Sequence, residues 1–469
     1  MFVAFNSKSD LLRPARVAKQ CLDFLKPALF TQGPIKKVTP TAYLDGLRGF
    51  AAFLVYIQHH QGWARLTGPA NDIFENAYGY QGRYYFATIP GIRLFFTGGH
   101  FAVAVFFVLS GYVLSYKPVS LVYSGDYVAL GDNLASAFFR RWIRLHLPII
   151  GTTFLYMTSW HLFGLWTAYP EHQPTYLEEL STWYRYFWRF SFMFRHKKYP
   201  PWFEYNVHLW SIPVEFKGSV TVYTTLLAFS RASRNTRLWA TVGLTLYFVT
   251  MVDGWYCAMF LSGMLLCELN LLAKNDELPG FFSRYKLERY KNPFFYALFV
   301  ASIYLAGVPC RRTEVEVVRA SPGWYYLSFL KPEAIKDSKW FYLFWASTFI
   351  VAATRHIHWL RSFFELRFNQ YLGRISFGLY LVHGPVLWIL GDRLYAAAGW
   401  SRDFNNTGLS SWKNLFPLST SGPLGLEVAF LAPHLIILPV TLWLAEIATK
   451  LFDEPSVRFA GWAYKQAKA

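Results

Sequence analysis

Acidic side chains are scarce in this chain of 469 residues. Asp and Glu number 28 against 46 Lys and Arg, and charged residues together reach only 16%, where a soluble domain carries about 25%. So thin a charge content argues against a disordered chain, a coiled coil or an ordinary soluble enzyme. Cysteine is sparse too. Cys21, Cys257, Cys267 and Cys310 have no ligand-like spacing, so neither a disulfide framework nor a zinc site is readable. Cys257 and Cys267 lie inside an apolar run and read as small core residues. There is no Walker loop, no G-x-S-x-G elbow, no H-E-x-x-H and no strand–helix alternation for a dinucleotide fold. No convincing duplication relates the two halves, which weakens an inverted-repeat transporter reading. No apolar stretch follows Met1, so no signal peptide is expected.

What the chain has in excess is apolar surface: 54% hydrophobic residues and 20% aromatics. Apolar windows of the length that crosses about 30 Å of hydrocarbon recur throughout. They are 43–61, 100–116, 146–166, 206–229, 237–252, 254–272, 293–309, 340–354, 371–391 and 424–449. The expected fold is therefore all-α, a polytopic integral-membrane helical bundle of about ten transmembrane helices. Asp253-Gly254, between the fifth and sixth windows, is a tight turn or a continuation. Residues 176–194 carry Glu178, Glu179, Arg185 and Arg189 and read as interfacial. Ten crossings put both termini on one side, and the larger share of Lys and Arg on that side makes it the cytosol. The formal charge of +18, which in a soluble protein suggests nucleic acid, instead orients the bundle. The lipid bilayer is then the partner, with no nucleic acid.

Leu11, Ala15, Ala18, Leu22, Leu25 and Leu29 form a stripe, with Arg13, Arg16, Lys19 and Lys26 mostly off it. That pattern fits a basic amphipathic helix lying on an anionic leaflet; a transit peptide or a helix packed on the protein are the alternatives. The expected organisation is a cytosolic basic segment (1–41), a transmembrane domain (42–460) and a short cytosolic tail (461–469), in an endomembrane or the plasma membrane. Asn405-Asn406-Thr407 is a glycosylation sequon on the outer side.

Ionisable groups at membrane depth are functional candidates by default. The first window holds Asp45 and Arg48 near its cytosolic end and His59-His60 further along. Arg48 and His59 stand eleven positions apart, roughly 16 Å of helix axis and nearly the same face. One face thus presents a cation at headgroup level and an imidazole about half a bilayer deeper, which suits a ligand with an anionic end in the cytosol and a reactive end in the core. A snorkelling arginine and a hydrogen-bonded histidine filling the bundle are the structural alternative. In HLWSIPVEF (208–216), His208 and Glu215 share a face and Pro213 is expected to kink the helix between them. Glu215 can pair with a histidine, or Lys217 can neutralise it. Ser376, Tyr380 and His383 form a polar stripe on the ninth window. Arg140, Arg141 and Arg144, at the cytosolic mouth of the third, either set topology or clamp a phosphorylated donor.

These residues resemble the acyltransferase 3 family of integral-membrane acyltransferases. The likeness runs through LDGLRGFAAFLVYIQHH, where Arg48, ten residues and then His59 match the family's first-helix motif. It continues in FFVLSGYVLS (106–115), RRWIRLHLP (140–148), HLWSIPVEF, GRISFGLYLVH (373–383) and FDEP (452–455), covering roughly 42–460 in order. The aromatic outer loops and the N-terminal extension resemble fungal members most.

The resemblance implies transfer of an acyl group, often acetyl, from cytosolic acyl-CoA to a hydroxyl of a sugar, lipid or small metabolite, with acyl-CoA as co-substrate and no bound cofactor or metal. It implies His59 as the catalytic histidine, Arg48 as its motif partner and Glu215 as the acidic residue. His60 offers a second candidate beside His59. The expected mechanism puts the donor's phosphates among Arg48, Arg140, Arg141 and Arg144, with Asp45 and His208 among the substrate-binding residues. His59 acts as general base, oriented by Glu215 or His383, or carries the acyl group; Ser376 or Tyr380 stabilises the oxyanion. Two rivals use the same residues: a proton-coupled transporter, which moves substrate without releasing CoA, and a scaffold whose polar groups only hold helices together.

Overall fold

The computed structural model describes residues 25–26, 39–65, 76–192, 202–280, 290–310, 314–400 and 409–468. Most of the basic N-terminal stripe, Cys21, residues 193–194 of the interfacial segment and the Asn405 sequon lie outside them. The described residues are helical, with no strand among them. The main helices are α1 (Ala42–Ala64), α2 (Gly99–Tyr123), α3 (Tyr127–Phe163), α4 (Tyr176–Ser191), α5 (Ser211–Phe229), α6 (Arg234–Thr250), α7 (Trp255–Lys274), α8 (Lys291–Leu305), α9 (Ser338–Thr354), α10 (Arg367–Val386), α11 (Asp392–Ala398), α12 (His434–Ala448) and α13 (Glu454–Ala467). Turns of π-helix, Leu387–Gly391 and Thr449–Asp453, join α10 to α11 and α12 to α13.

Each of the ten apolar windows overlaps an α-helix, though 206–229 and 424–449 begin outside one. Four helical stretches among the described residues are long and apolar enough to cross a membrane: Gly99–Tyr123, Trp255–Lys274, Arg367–Ala398 and Val428–Ala467. The helices α6, α8 and α9 stop at 17, 15 and 17 residues. The third window proves too short: α3 runs for 37 residues, roughly 55 Å, and starts where Asp126 accepts from Ala129 N at 2.9 Å. Arg140, Arg141 and Arg144 therefore sit inside a helix rather than at its mouth. Asp253-Gly254 belongs to a tight turn between α6 and α7, closed by Gly254 N donating to Phe248 O at 3.1 Å. The interfacial segment is α4, opened by a Thr175/Glu178 capping box. It buries Glu179, Trp183 and Phe190 and exposes Leu177, Tyr184 and Trp188. Trp183 Nε1 ties it to α3 by donating to Thr153 Oγ1 at 3.0 Å.

Pro213 does not kink a helix. Residues Glu204–Trp210 are a 3-10 turn broken at Asn206, and α5 begins only at Ser211. Pro213 thus occupies the first turn, where its missing N–H has no partner to lose. His208 and Glu215 consequently belong to different elements.

The bundle is drawn together by ion pairs and by close helix crossings. Arg237 Nε donates to Glu268 Oε1 at 2.7 Å, and Tyr123 OH donates to the same oxygen at 2.7 Å, joining α2, α6 and α7 in a buried knot. Two crossings bring backbones together, α2 against α7 at Gly111 and Gly263 and α1 against α10 at Gly49 and Gly373. A Cβ on Gly49 would overlap the backbone at Leu372-Gly373, and one on Gly373 would overlap the Asp45 carbonyl. The two backbones touch only because glycine adds no side-chain thickness. Gly373→Val should therefore destabilise the fold by about 1–3 kcal/mol and lower activity, read by thermal unfolding in detergent alongside turnover.

Candidate active site

Backbone contact between α1 and α10 brings their polar residues into register. At one end Arg48 pairs with Asp45 at 3.0 Å. Its Nε donates to Ser376 Oγ at 3.1 Å, and its terminal nitrogen donates to the Gly373 carbonyl at 3.0 Å. Further along both helices, His59 Nδ1 lies 2.9 Å from His383 Nε2. His383 Nδ1 lies 3.1 Å from the Leu379 carbonyl one turn back. A carbonyl only accepts, so His383 carries its proton on Nδ1, and its Nε2 accepts from His59 Nδ1–H. With both rings neutral, the basic lone pair is on His59 Nε2. That atom bonds no described residue and is not among the sealed polar atoms. The dyad is thus a base held in one tautomer by a second histidine. Of the two orienting groups the sequence leaves open, His383 is the one in contact.

Glu215 belongs elsewhere. It is paired with Arg141 and accepts from Ser110 Oγ at 2.6 Å, while Arg141 Nε donates to Ser219 Oγ at 2.8 Å. Lys217, two positions on, is no partner of Glu215: two helical steps turn it roughly 200° away. His60 is also turned off the site. It is fully buried, with Nδ1 2.8 Å from Tyr395 OH, and the same hydroxyl lies 3.1 Å from His434 Nε2. One residue along a helix is 100° of rotation, and that separates the two histidines into distinct networks.

A cavity of about 240 Å³ opens beside Arg48 and Glu215; its lining stops at Tyr380 and includes none of His59, His208 and His383. Arg48, Arg141, Arg144 and Arg374 line it with Asp45, Glu215 and Asp453; Phe106, Phe107, Leu109, Ile212 and Phe377 form apolar wall; Ser211, Ser376 and Tyr380 are also part of its lining. Asp453 comes from the second π turn. Arg140 is absent from the lining and donates to the Ser136 carbonyl at 3.1 Å, because its neighbour Arg141 already takes the inward direction. Among the described residues Arg144 is exposed and makes no hydrogen bond or ion pair, whereas Arg374 is paired with Glu446 at 2.9 Å. Both hydroxyl protons expected to serve an oxyanion are committed: Ser376 Oγ donates to Gly373 O at 3.0 Å, and Tyr380 OH to His208 O. Ser211 Oγ lies 2.8 Å from Tyr380 OH, so the Tyr380–Ser211 pair links the cavity to the segment that carries His208.

Ser110, Ser211, Arg374 and Asp453 all lie in motifs quoted from the sequence, yet their inward direction follows only from packing. Asn206 and Pro385 were missed together. Pro385 lies inside α10 and cannot donate to the Leu381 carbonyl; Asn206 Nδ2 donates there instead, at 3.0 Å. The first π turn has a similar effect, leaving the Trp388 carbonyl to accept from Ala168 N at 3.1 Å.

The ligand nitrogens of His59, His208 and His383 all lie within 4.8 Å of one another. Their directions do not fit a metal. His59 and His383 are nearly coplanar, at 14°, and meet edge to edge, whereas His208 lies 3.9 Å from His59 centroid to centroid at 30°. Imidazole lone pairs lie in the ring plane, so a stacked ring cannot aim at the point its neighbours share.

The Arg141–Glu215 pair gives a measurable contrast. Glu215→Ala should cost about 3 kcal/mol by leaving Arg141 unpaired in a mostly buried place. Lys217→Met should stay within about 0.5 kcal/mol, both by unfolding in detergent.

A family model described as an acyltransferase domain matches residues 41–432. The chain is similar to O-acetyltransferase PaAT-1 of Phomopsis amygdali, 28% identical over 97% of this chain and 90% of that one. Acyltransferase R4 of Phoma sp. is 25% identical over 76% and 85%, and acyltransferase clz18 of Cochliobolus lunatus 23% over 92% and 98%. No solved structure matches.

Proposed function

The chain belongs to the acyltransferase 3 family and is a membrane acyltransferase, and from that premise we propose that it moves an acyl group, acetyl first among candidates, from cytosolic acyl-CoA to an alcohol. The observation that carries this reading is the His59–His383 dyad together with a cavity that holds Arg48, Arg141, Arg144 and Arg374 and reaches Tyr380, whose ring centroid is 5.8 Å from that of His383. The donor's phosphates bind Arg144, with Arg48 and Arg141 turning from their internal carboxylates to join it. The pantetheine runs along the wall of Phe106, Leu109 and Ile212 toward the Tyr380–Ser211 pair. His59 Nε2 takes the proton of the acceptor hydroxyl, the alkoxide oxygen attacks the thioester carbon, and the carbon–sulfur bond breaks. The thiolate then recovers the proton from His59. The relative named an O-acetyltransferase supports oxygen as acceptor and acetyl as acyl group. The acceptor is a hydroxyl on a sugar, lipid or small metabolite. We place both termini in the cytosol, with ten crossings of an endomembrane or the plasma membrane, which puts the basic residues at the cavity on the donor's side.

Purified protein with acetyl-CoA and a hydroxylated acceptor tests this, read by free CoA and product mass. His59→Ala should lower kcat by about 10²–10⁴-fold; a folded variant at the wild-type rate overturns the assignment. Arg144→Ala should raise KM for the donor by about tenfold with kcat nearly unchanged, while Arg140→Ala should leave both alone.

A further inference from the structure

We propose that His208 is a positioning residue that acts through the face of its ring: it forms an aromatic platform under the His59–His383 dyad that stabilises the imidazolium formed on His59 during transfer. This rests on the general-base reading of His59 and adds a role that the dyad alone does not require.

Three observations carry it. The first is ring geometry. The His208 centroid is 3.9 Å from that of His59 and 4.8 Å from that of His383, at 30° and 28°. Two coplanar five-membered rings cannot approach to 3.9 Å without their edges colliding, so His208 lies over the face of the pair. Trp388 stacks on His208 at 5.1 Å and 18° and has no ring contact with His59, so it covers the side turned away from the dyad.

The second is the silence of the ring nitrogens. His208 Nδ1 is buried without a hydrogen-bond partner, and among the described residues neither nitrogen donates or accepts. A histidine used for proton relay is held through its nitrogens; this one is held by its backbone and by stacking.

The third is how the segment is fixed. Asn206 Nδ2 is bound to the carbonyl freed by Pro385, and the His208 carbonyl accepts from Tyr380 OH. Gly384 leaves room for the ring, since a Cβ there would stand 2.5 Å from His208 Nδ1. Each contact sets where the ring lies, and none uses its basicity.

The physical effect follows from the reaction. When His59 accepts the hydroxyl proton, a full positive charge appears in a place where water is scarce. A π face directly against the new cation stabilises it, and stabilises the neutral ground state much less. A phenyl ring does this as well as an imidazole; a methyl group does not.

The experiment compares His208→Phe, His208→Ala and Gly384→Ala with wild type and with His59→Ala, in detergent, by kcat, KM for acetyl-CoA and the pH–rate profile. His208→Ala should lower kcat by about tenfold with KM for acetyl-CoA unchanged, and His208→Phe should recover most of the wild-type kcat with the wild-type profile. Gly384→Ala keeps the imidazole but displaces it, and should lower kcat much as His208→Ala does, so it decides the matter if His208→Ala fails to fold. A His208→Phe variant as slow as His208→Ala, or one whose profile loses a limb, overturns the platform and assigns a nitrogen to the chemistry. Metal bound to the wild type one-to-one and lost in His208→Phe also overturns it. If His59→Ala is dead while His208→Phe is impaired, only the platform falls; if His59→Ala keeps the wild-type rate, the general-base reading falls with it.

Discussion

Two glycines decide where the candidate site can form. Gly49 and Gly373 let α1 and α10 meet backbone to backbone, and every rung between the two helices takes its height from that contact. Arg48 reaches Gly373 and Ser376 because the axes are close; His59 reaches His383 because the helices then run side by side for the remaining turns. In lipid, where association gains little from burying apolar surface, such close approach replaces the hydrophobic effect as the force that holds a helix pair. Structure and site therefore depend on the same contact.

The charges at the cavity follow from a related constraint. A cation in an apolar surrounding needs an anion or water, and Arg48 and Arg141 have found theirs in Asp45 and Glu215. Arg144 has no such partner among the described residues. The lining is thus close to neutral at rest, and an anionic ligand exchanges partners with it rather than filling a vacant charge.

Much of this is legible in the sequence. The spacing of Arg48 and His59 puts them on one helix face, the residues Ser376, Tyr380 and His383 form a polar stripe, and in the structure these residues line the cavity or make up the dyad. What stayed hidden depends on where elements begin and on which neighbour wins. Pro213 and Pro385 look alike in a sequence, yet the first lies in an opening turn and changes nothing, while the second lies mid-helix and releases a carbonyl. Glu215 has Lys217 beside it in the chain and Arg141 beside it in space; only packing chooses. His59 and His60 differ by one helical step, and no local rule says which step faces the partner.

Pro385 also bears on how such an enzyme can change. The carbonyl it releases is satisfied by a single amide, Asn206 Nδ2, in surroundings that offer no water as a substitute. Sliding or twisting α10 would strand that carbonyl, so the height of its histidine is fixed by a hydrogen bond from the Asn206 side chain to the main chain and barely by the bulk of nearby side chains. The apolar wall contributed by α2 and α5 carries no such obligation. Its residues can be exchanged, and with them the shape of molecule the cavity admits, while the histidine pair stays where the backbone holds it: one frame, open to many occupants over evolutionary time.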